Sequence, residues 1–384
     1  MKVAVLGYGT VGAGVYSMLS DAPGMEAGPV LVRPGKAVES FMVSDAALIF
    51  GDPSVDAVVE TLGGLDPAYS YGMRALEAGK HFITANKAMV AAHGLELAAL
   101  AREKGAAFLF SAACGGGVPF LHNLALSAET DRIEAVSGIL NGTTNYMLDA
   151  MQRRGLSYGN ALREAQSLGY AESDPTADVS GLDALRKMQL ACAVAFGVLP
   201  QSGMLCEGME HFTAADVEDI QSRGLVCRLM ARGSRAGESV SAYVEPVLFP
   251  RAAPESSVFT NNNMASYTGK RCGSIVLMGQ GAGRFPTASA VLRDLSAAQQ
   301  GARSMFPENC RAAEADNREA VHSYYIRTGG FAAVRLPLRS VLAQGEVVRA
   351  VTEPMSAEKM HALAQNIRKD GNDLFFAALE EELC

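Results

Sequence analysis

The chain opens on an unbroken apolar, β-branched run, Val3-Ala-Val-Leu6. The pattern then changes at once: Gly7-Tyr8-Gly9-Thr10-Val11-Gly12 is followed by apolar residues at Val15, Met18 and Leu19, a helical spacing. A strand, a glycine turn and a helix are expected in that order. Pro29-Val-Leu-Val32 predicts a second strand, residues 55–64 a third that ends in glycines, and residues 75–87 a helix passing into another strand. Strands apolar throughout and separated by helices belong to a parallel sheet covered on both faces. Further on, Ser111-Ala-Ala-Cys114-Gly-Gly116-Gly-Val118-Pro119 leads into an apolar helix, and residues 139–146 read as a strand turning into a helix start. Residues 188–196 are apolar on nearly every face and predict a buried helix.

The glycine turn has a specific chemical use. In G-x-G-x-x-G between a strand and a helix, the first glycine permits the tight turn and the second lets a pyrophosphate approach the backbone. The third lets helix and strand pack, leaving phosphate at a helix N-terminus. Gly7, Gly9 and Gly12, with Thr10 and Val11 between them, therefore form a candidate dinucleotide site. About 20 residues beyond such a turn an acidic residue usually meets the adenosine ribose. Here Arg33 ends the second strand and Lys36 follows. A guanidinium suits a 2′-phosphate, which favours NADP over NAD; stacking on adenine, compatible with either cofactor, is the other reading. Parallel sheets bind ligands beyond the carboxyl ends of their strands, where Thr61, Gly63, Asn86 and Lys87 fall. Lys87 there can reach the cofactor or a substrate carboxylate. A second glycine loop, Gly279 to Gly283, precedes a helix start at Pro286 and could cover the cofactor.

A second chemistry-bearing segment runs from Gly169 and Tyr170 to Lys187. It holds four carboxylates (Glu172, Asp174, Asp178, Asp183) and enters the apolar 188–196 helix. Asp183 and Lys187 are four apart and share a helical face. The pair is either a structural ion pair, with Ser180 to Asp183 as a capping box, or the mouth of a site.

Composition agrees with a folded, soluble enzyme. The 384 residues suffice for two or three domains; 49% are hydrophobic and 19% charged. A net charge of −8, with no basic run interleaved with aromatics, excludes nucleic acid as a partner class. No signal peptide fits before the first strand and no apolar stretch reaches membrane-span length, so no membrane partner is expected. Seven cysteines without C-x-x-C spacing point to reduced thiols in the cytoplasm.

Taken in order, the motifs resemble homoserine dehydrogenases from residue 3 to about residue 300. They are Gly-Tyr-Gly-Thr-Val-Gly, Thr-Ala-Asn-Lys-Ala, Gly-Gly-Val-Pro, Asn-Gly-Thr-Thr-Asn-Tyr, the acidic loop ending at Lys187, and Gly-Ala-Gly…Pro-Thr-Ala-Ser-Ala-Val. No aspartokinase domain precedes them, as in the monofunctional form. The resemblance implies NAD(P)-dependent interconversion of L-homoserine and L-aspartate 4-semialdehyde, on the route to threonine and methionine. By motif position it makes Lys187 the proton donor in reduction, with Lys87 and Asp183 in the catalytic set. Glu172 and Asp183 would hold the substrate amino and hydroxyl groups, Asp178 would support the loop, and Gly169, Tyr170 and Thr143 would line the substrate site. It also implies a homodimer.

The chain departs from the family at two places. A sodium site would use a glutamate where Ser111 stands, with carbonyls of Cys114, Gly116 and Val118; loss of the carboxylate argues against sodium or potassium. At the C-terminal end, residues 322–327 resemble the first strand of a regulatory ACT module. Thr-Gly-Gly-Phe-Ala-Ala replaces the expected glycine-proline turn, and only helices at about 356–369 and 372–382 follow. Threonine feedback is not expected from so reduced a tail.

The fold class read from all this is α/β: a Rossmann-type doubly wound nucleotide domain at 1–130, to which a helix at 281–302 returns, a second α/β catalytic and dimerisation domain at 131–280, and a small α/β tail at 316–384. Two other functions stay open: a related amino-acid dehydrogenase, and a catalytically silent cofactor-binding sensor.

Overall fold

The computed structural model describes residues 1–380. Along the chain run β1 (Lys2–Leu6), α1 (Thr10–Leu19), β2 (Glu26–Leu31), β3 (Met42–Val43), β4 (Ala57–Glu60), α2 (Ala68–Glu77), β5 (His81–Thr84), α3 (Lys87–Lys104), β6 (Phe108–Leu109) and α4 (Phe120–Thr130). Then come β7 (Ile133–Ile139), α5 (Gly142–Arg154), α6 (Tyr158–Ser167), α7 (Leu182–Phe196), β8 (Leu225–Ala236), β9 (Ser239–Pro250), β10 (Asn262–Gly269) and α8 (Arg284–Gln299). The chain closes with β11 (Tyr324–Gly329), β12 (Leu338–Ala343), β13 (Val347–Thr352), α9 (Ala357–Lys369) and β14 (Leu374–Leu379).

Two compact units result. The first comprises Met1–Ile133, Gln189–Leu199 and Gly269–Arg311. Its sheet has the strand order β3-β2-β1-β4-β5-β6, parallel throughout, which is the doubly wound arrangement with its switch point between β1 and β4. Val3 to Leu6 and Ala57 to Glu60 are fully buried, as strands with helices on both faces must be. Arg33 lies two residues beyond the end of β2 rather than closing it.

The second unit comprises Glu134–Met188, Pro200–Thr268 and the chain from Ala312. Its sheet runs β10-β7-β8-β9-β14-β11-β13-β12. β8 and β9 form a long antiparallel hairpin, and β14 joins β9 in parallel through Val247↔Ala378 and Leu248↔Leu379. The C-terminal strands thus extend the same sheet as the middle of the chain. One expectation fails here: residues 374–379, read as part of a helix, are a strand, and residues 381–382 of that reading lie outside the described residues. Leu-Phe-Phe-Ala-Ala-Leu is buried at every position between β9 and β11, and a short continuous apolar run has no periodicity to separate strand from helix. α9 forms at 357–369 as read, capped by the Ser356 side chain on the Lys359 amide.

Candidate active site

In the first unit, β1 delivers the chain into Gly7, whose φ of +97° only glycine adopts readily. Gly9 is the N-cap of α1 and supplies no side-chain cap, so the amides of the first turn await an external acceptor. At Gly12 a Cβ would stand 2.1 Å from the Gly7 carbonyl oxygen and 2.7 Å from Thr61 Oγ1. Nothing larger than glycine fits between helix and turn.

Above this turn opens a cleft of about 1090 Å³, lined by Gly7, Tyr8, Gly9, Arg33, Lys36, Thr61 and Gly63 among others. The fold therefore gathers Gly7, Gly9, Thr61 and Gly63 of the cofactor residues read from sequence, together with the cations Arg33 and Lys36. Phe41 joins the lining, stacked on Tyr16 at 4.3 Å between ring centroids. Thr10, Val11 and Gly12 form the first turn of α1 beneath it. Asn86, Lys87 and Gly283 do not line this cleft. Asn86 is buried as the N-cap of α3, accepting from the Met89 amide and donating to the Gly64 carbonyl at 2.6 Å. Lys87 opens α3, and Gly283 caps α8 with φ +122°. Sequence reasoning missed Glu60, the fully buried last residue of β4. Its carboxylate accepts from the amides of Leu62 (2.6 Å) and Gly63 (3.1 Å) and from the Thr84 hydroxyl (2.6 Å), shaping the rim that bears Thr61 and Gly63. An acidic residue closing an apolar strand was the available signal.

In the second unit the lysine and its carboxylates come together. Lys187 Nζ lies 2.7 Å from Asp183 Oδ2 and donates to the Leu140 carbonyl at 2.6 Å. Asn141 Nδ2 donates to Asp178 Oδ1 (2.7 Å) and to Asp183 Oδ2 (2.9 Å). Burial raises the Asp178 carboxyl above its ordinary range; the Asn141 bond opposes this and the Asp183 charge adds to it. Thr143 Oγ1 donates to the Tyr170 carbonyl at 2.6 Å, tying the start of the acidic loop to α5. Gly169 turns the chain at φ +74°.

Glu172 is exposed, and its backbone carbonyl accepts from Gln166. The residue that the resemblance assigns to the substrate amine thus stands at the surface of the protein alone. The capping-box alternative for Ser180 is not realised either. Residues 176–179 make their own short helix with Ser180 as its C-cap, Gly181 at φ +83° breaks the chain, and the buried Ser180 hydroxyl has no hydrogen-bond partner. The Asp183–Lys187 pair stands at the start of α7.

The Ser111 segment, again in the first unit, is fastened from within. Ser111 donates through Oγ to Asp294 Oδ1 (2.5 Å) and through its amide to Asp294 Oδ2 (2.8 Å), while Arg293 donates to the Gly117 carbonyl at 2.9 Å. Asp294 and Arg293 are neighbours on α8. Ser111 brings no carboxylate to a hard-cation site, and its hydroxyl hydrogen is given to Asp294. Among the described residues no group of three or more His, Cys, Asp or Glu could hold a metal ion.

A doubly wound sheet with a phosphate turn, and a part-buried lysine held between a carbonyl and a carboxylate, are the parts of a dinucleotide-dependent oxidoreductase. Comparison with known proteins narrows this. The model of the homoserine dehydrogenase NAD-binding domain matches residues 7–111, and that of homoserine dehydrogenase itself matches residues 119–296. The homoserine dehydrogenase of Corynebacterium glutamicum is 38% identical over 314 residues, 76% of this chain and 70% of that one. A crystal structure of a homoserine dehydrogenase from Thiobacillus denitrificans superposes with a TM-score of 0.87 at 29% identity, covering 99% of this chain and 98% of that one. A hyperthermophilic archaeal homoserine dehydrogenase in complex with NADPH shares the fold at a TM-score of 0.67 and 24% identity, over 81% of this chain and 99% of that one. The chain belongs to the homoserine dehydrogenase family.

Proposed function

We propose that the chain interconverts L-homoserine and L-aspartate 4-semialdehyde, with Lys187 as the acid that protonates the substrate oxygen in reduction and the base that deprotonates it in oxidation. The observation that supports this most is the Lys187 ammonium, held by a buried carboxylate and a carbonyl. Reduction of an aldehyde builds negative charge on oxygen; an ammonium both stabilises that charge and surrenders the proton. Asp183 orients the ammonium. Glu172 takes the substrate amine and Asp178 holds the loop, with Thr143, Gly169 and Tyr170 shaping the substrate side. When bound, the dinucleotide supplies or accepts the hydride. Gly7, Gly9, Thr10, Val11 and Gly12 would hold its pyrophosphate and Thr61 and Gly63 its ribose side; Asn86 would act from outside the cleft as the cap that sets the start of α3, Gly283 would open a covering loop, and Lys87 would serve cofactor or substrate.

NADP is the preferred cofactor in this reading, because Arg33 and Lys36 share the cleft with the phosphate turn. The proposed assembly is a cytoplasmic homodimer, which light scattering of the purified protein tests. The central experiment follows nicotinamide absorbance with homoserine and each cofactor. Turnover with homoserine is expected. Tight cofactor binding without turnover would replace the enzyme by a silent sensor.

A further inference from the structure

We propose that Asn141 is a positioning residue for this reaction: its carboxamide bridges Asp178 and Asp183 and thereby fixes the carboxylate that holds Lys187. The inference rests on the reading of Lys187 as the acid–base group.

Three features single out Asn141. It is 5% exposed, and both hydrogens of one amide nitrogen are spent on different carboxylates, at 2.7 and 2.9 Å. The other end of the amide is equally committed. Oδ1 caps α5 by accepting from the Thr144 amide (2.8 Å) and the Thr144 hydroxyl (3.0 Å), so the group cannot be turned over without facing donor to donor. Finally, the preceding residue, Leu140, gives its carbonyl to Lys187. The junction of β7 and α5 thus contacts the ammonium directly at one residue and through Asp183 at the next.

The electrostatics explain the need. Asp183 Oδ2 is shared between Lys187 and Asn141, while the second carboxylate, Asp178, feels the charges of both Asp183 and Lys187. Two carboxylates beside one ammonium resist simultaneous ionisation. A donor to both stabilises the doubly ionised state, in which Asp183 is available to orient Lys187. Charged and polar groups that face the two carboxylates include Lys187 on α7, Asn141 at the N-cap of α5 and Thr143 in its first turn.

The test compares two variants with Lys187→Ala as reference. Asn141→Ser keeps a good cap for α5 but is too short to bridge both carboxylates; Asn141→Asp keeps the cap acceptor and the volume but replaces the bridging donor by an acceptor. In Asn141→Ser, kcat with homoserine is expected to fall 10- to 100-fold with cofactor affinity within twofold of wild type. Measured in the direction of aldehyde reduction, where Lys187 acts as an ammonium, the acidic limb of the kcat/KM profile should move to higher pH, because a carboxylate that loses a donor protonates more easily. Asn141→Asp should move that limb further in the same direction. An acidic limb unmoved in Asn141→Asp while Lys187→Ala is inactive overturns the positioning role; an active Lys187→Ala overturns the underlying reading instead. Should Asn141→Ser fail to fold, Asn141→Asp, which preserves cap and volume, carries the same pH measurement.

Discussion

The two units build their sites from opposite materials. The dinucleotide cleft is made of backbone: Gly7, Gly9 and Gly12 matter for the side chains they lack, and the amides of α1 for the cap they do not receive. The lysine cluster is made of side chains: Lys187 meets Asp183, and Asn141 donates to both Asp183 and Asp178. A backbone site fails when something is added; a side-chain site fails when something is taken away. That asymmetry is open to experiment from both sides.

The largest effect is expected at the side-chain site. Lys187→Ala should lower turnover by about two to four orders of magnitude, the range for a positioned acid or base, with cofactor affinity nearly unchanged. Stopped-flow turnover together with cofactor titration checks this, and retention of more than a tenth of the wild-type rate would contradict it. The backbone site should respond to addition. Gly12→Ala places a methyl group 2.1 Å from the Gly7 carbonyl oxygen, so the turn must shift; cofactor affinity should fall by more than tenfold while the lysine cluster is untouched. Isothermal titration with NADP and NAD reads the loss, and wild-type affinity would show that the turn yields at no cost.

Arg33 tests the exception within the cleft, where side chains rather than backbone select the ligand. One or two charge-assisted contacts to a 2′-phosphate, about 1.5–3 kcal/mol each, should favour NADP by at least tenfold in kcat/KM. Arg33→Ala should erase most of that preference. A wild-type preference for NAD would mean that the guanidinium lies flat on adenine instead. In the acidic loop, Glu172→Gln should raise the homoserine KM several-fold and the cofactor KM hardly at all. Since Glu172 is exposed in the protein alone, equal effects on both constants would remove it from the substrate site.

What the sequence makes legible follows the same division. A glycine that must adopt φ +97°, or that must admit a helix against a turn, advertises itself locally, and the parallel sheet around it follows from apolar runs alternating with helices. The pairing of Asp183 with Lys187 was equally readable, because four residues on a helix fix a shared face. Asn141 was not. Its partners lie 37 and 42 residues further along, brought in by the loop between α6 and α7, and no local spacing encodes that meeting. Ser180 shows the reverse error: a correct local signal for a cap lost to the short helix that precedes it. Ser111 and Asp294 are 183 residues apart, so the missing glutamate was visible and the carboxylate that occupies its hydroxyl was not.

That last pair offers the smallest expected effect and the finest test. Asp294 is fully buried, and burial pushes its carboxyl up to about 7, against two Ser111 donors and the Arg293 charge that pull it down. If burial prevails, the folded chain holds this proton where the unfolded chain, with an ordinary carboxyl, has released it. Stability should then be lost as pH rises from about 4 to about 7, with no further change from this group above that. A carboxamide in its place cannot titrate, so in Asp294→Asn this contribution disappears, and the other groups common to both chains cancel in the difference. The stability of wild type relative to Asp294→Asn, from urea unfolding at pH 5, 6, 7 and 8, should therefore fall as pH rises. A protonated Asp294 is tolerable there because the Ser111 hydroxyl can rotate to accept, whereas the Ser111 amide cannot. A relative stability that stays flat from pH 5 to pH 8 would mean that the two donors outweigh burial, and that the loop is held by an ionised carboxylate throughout.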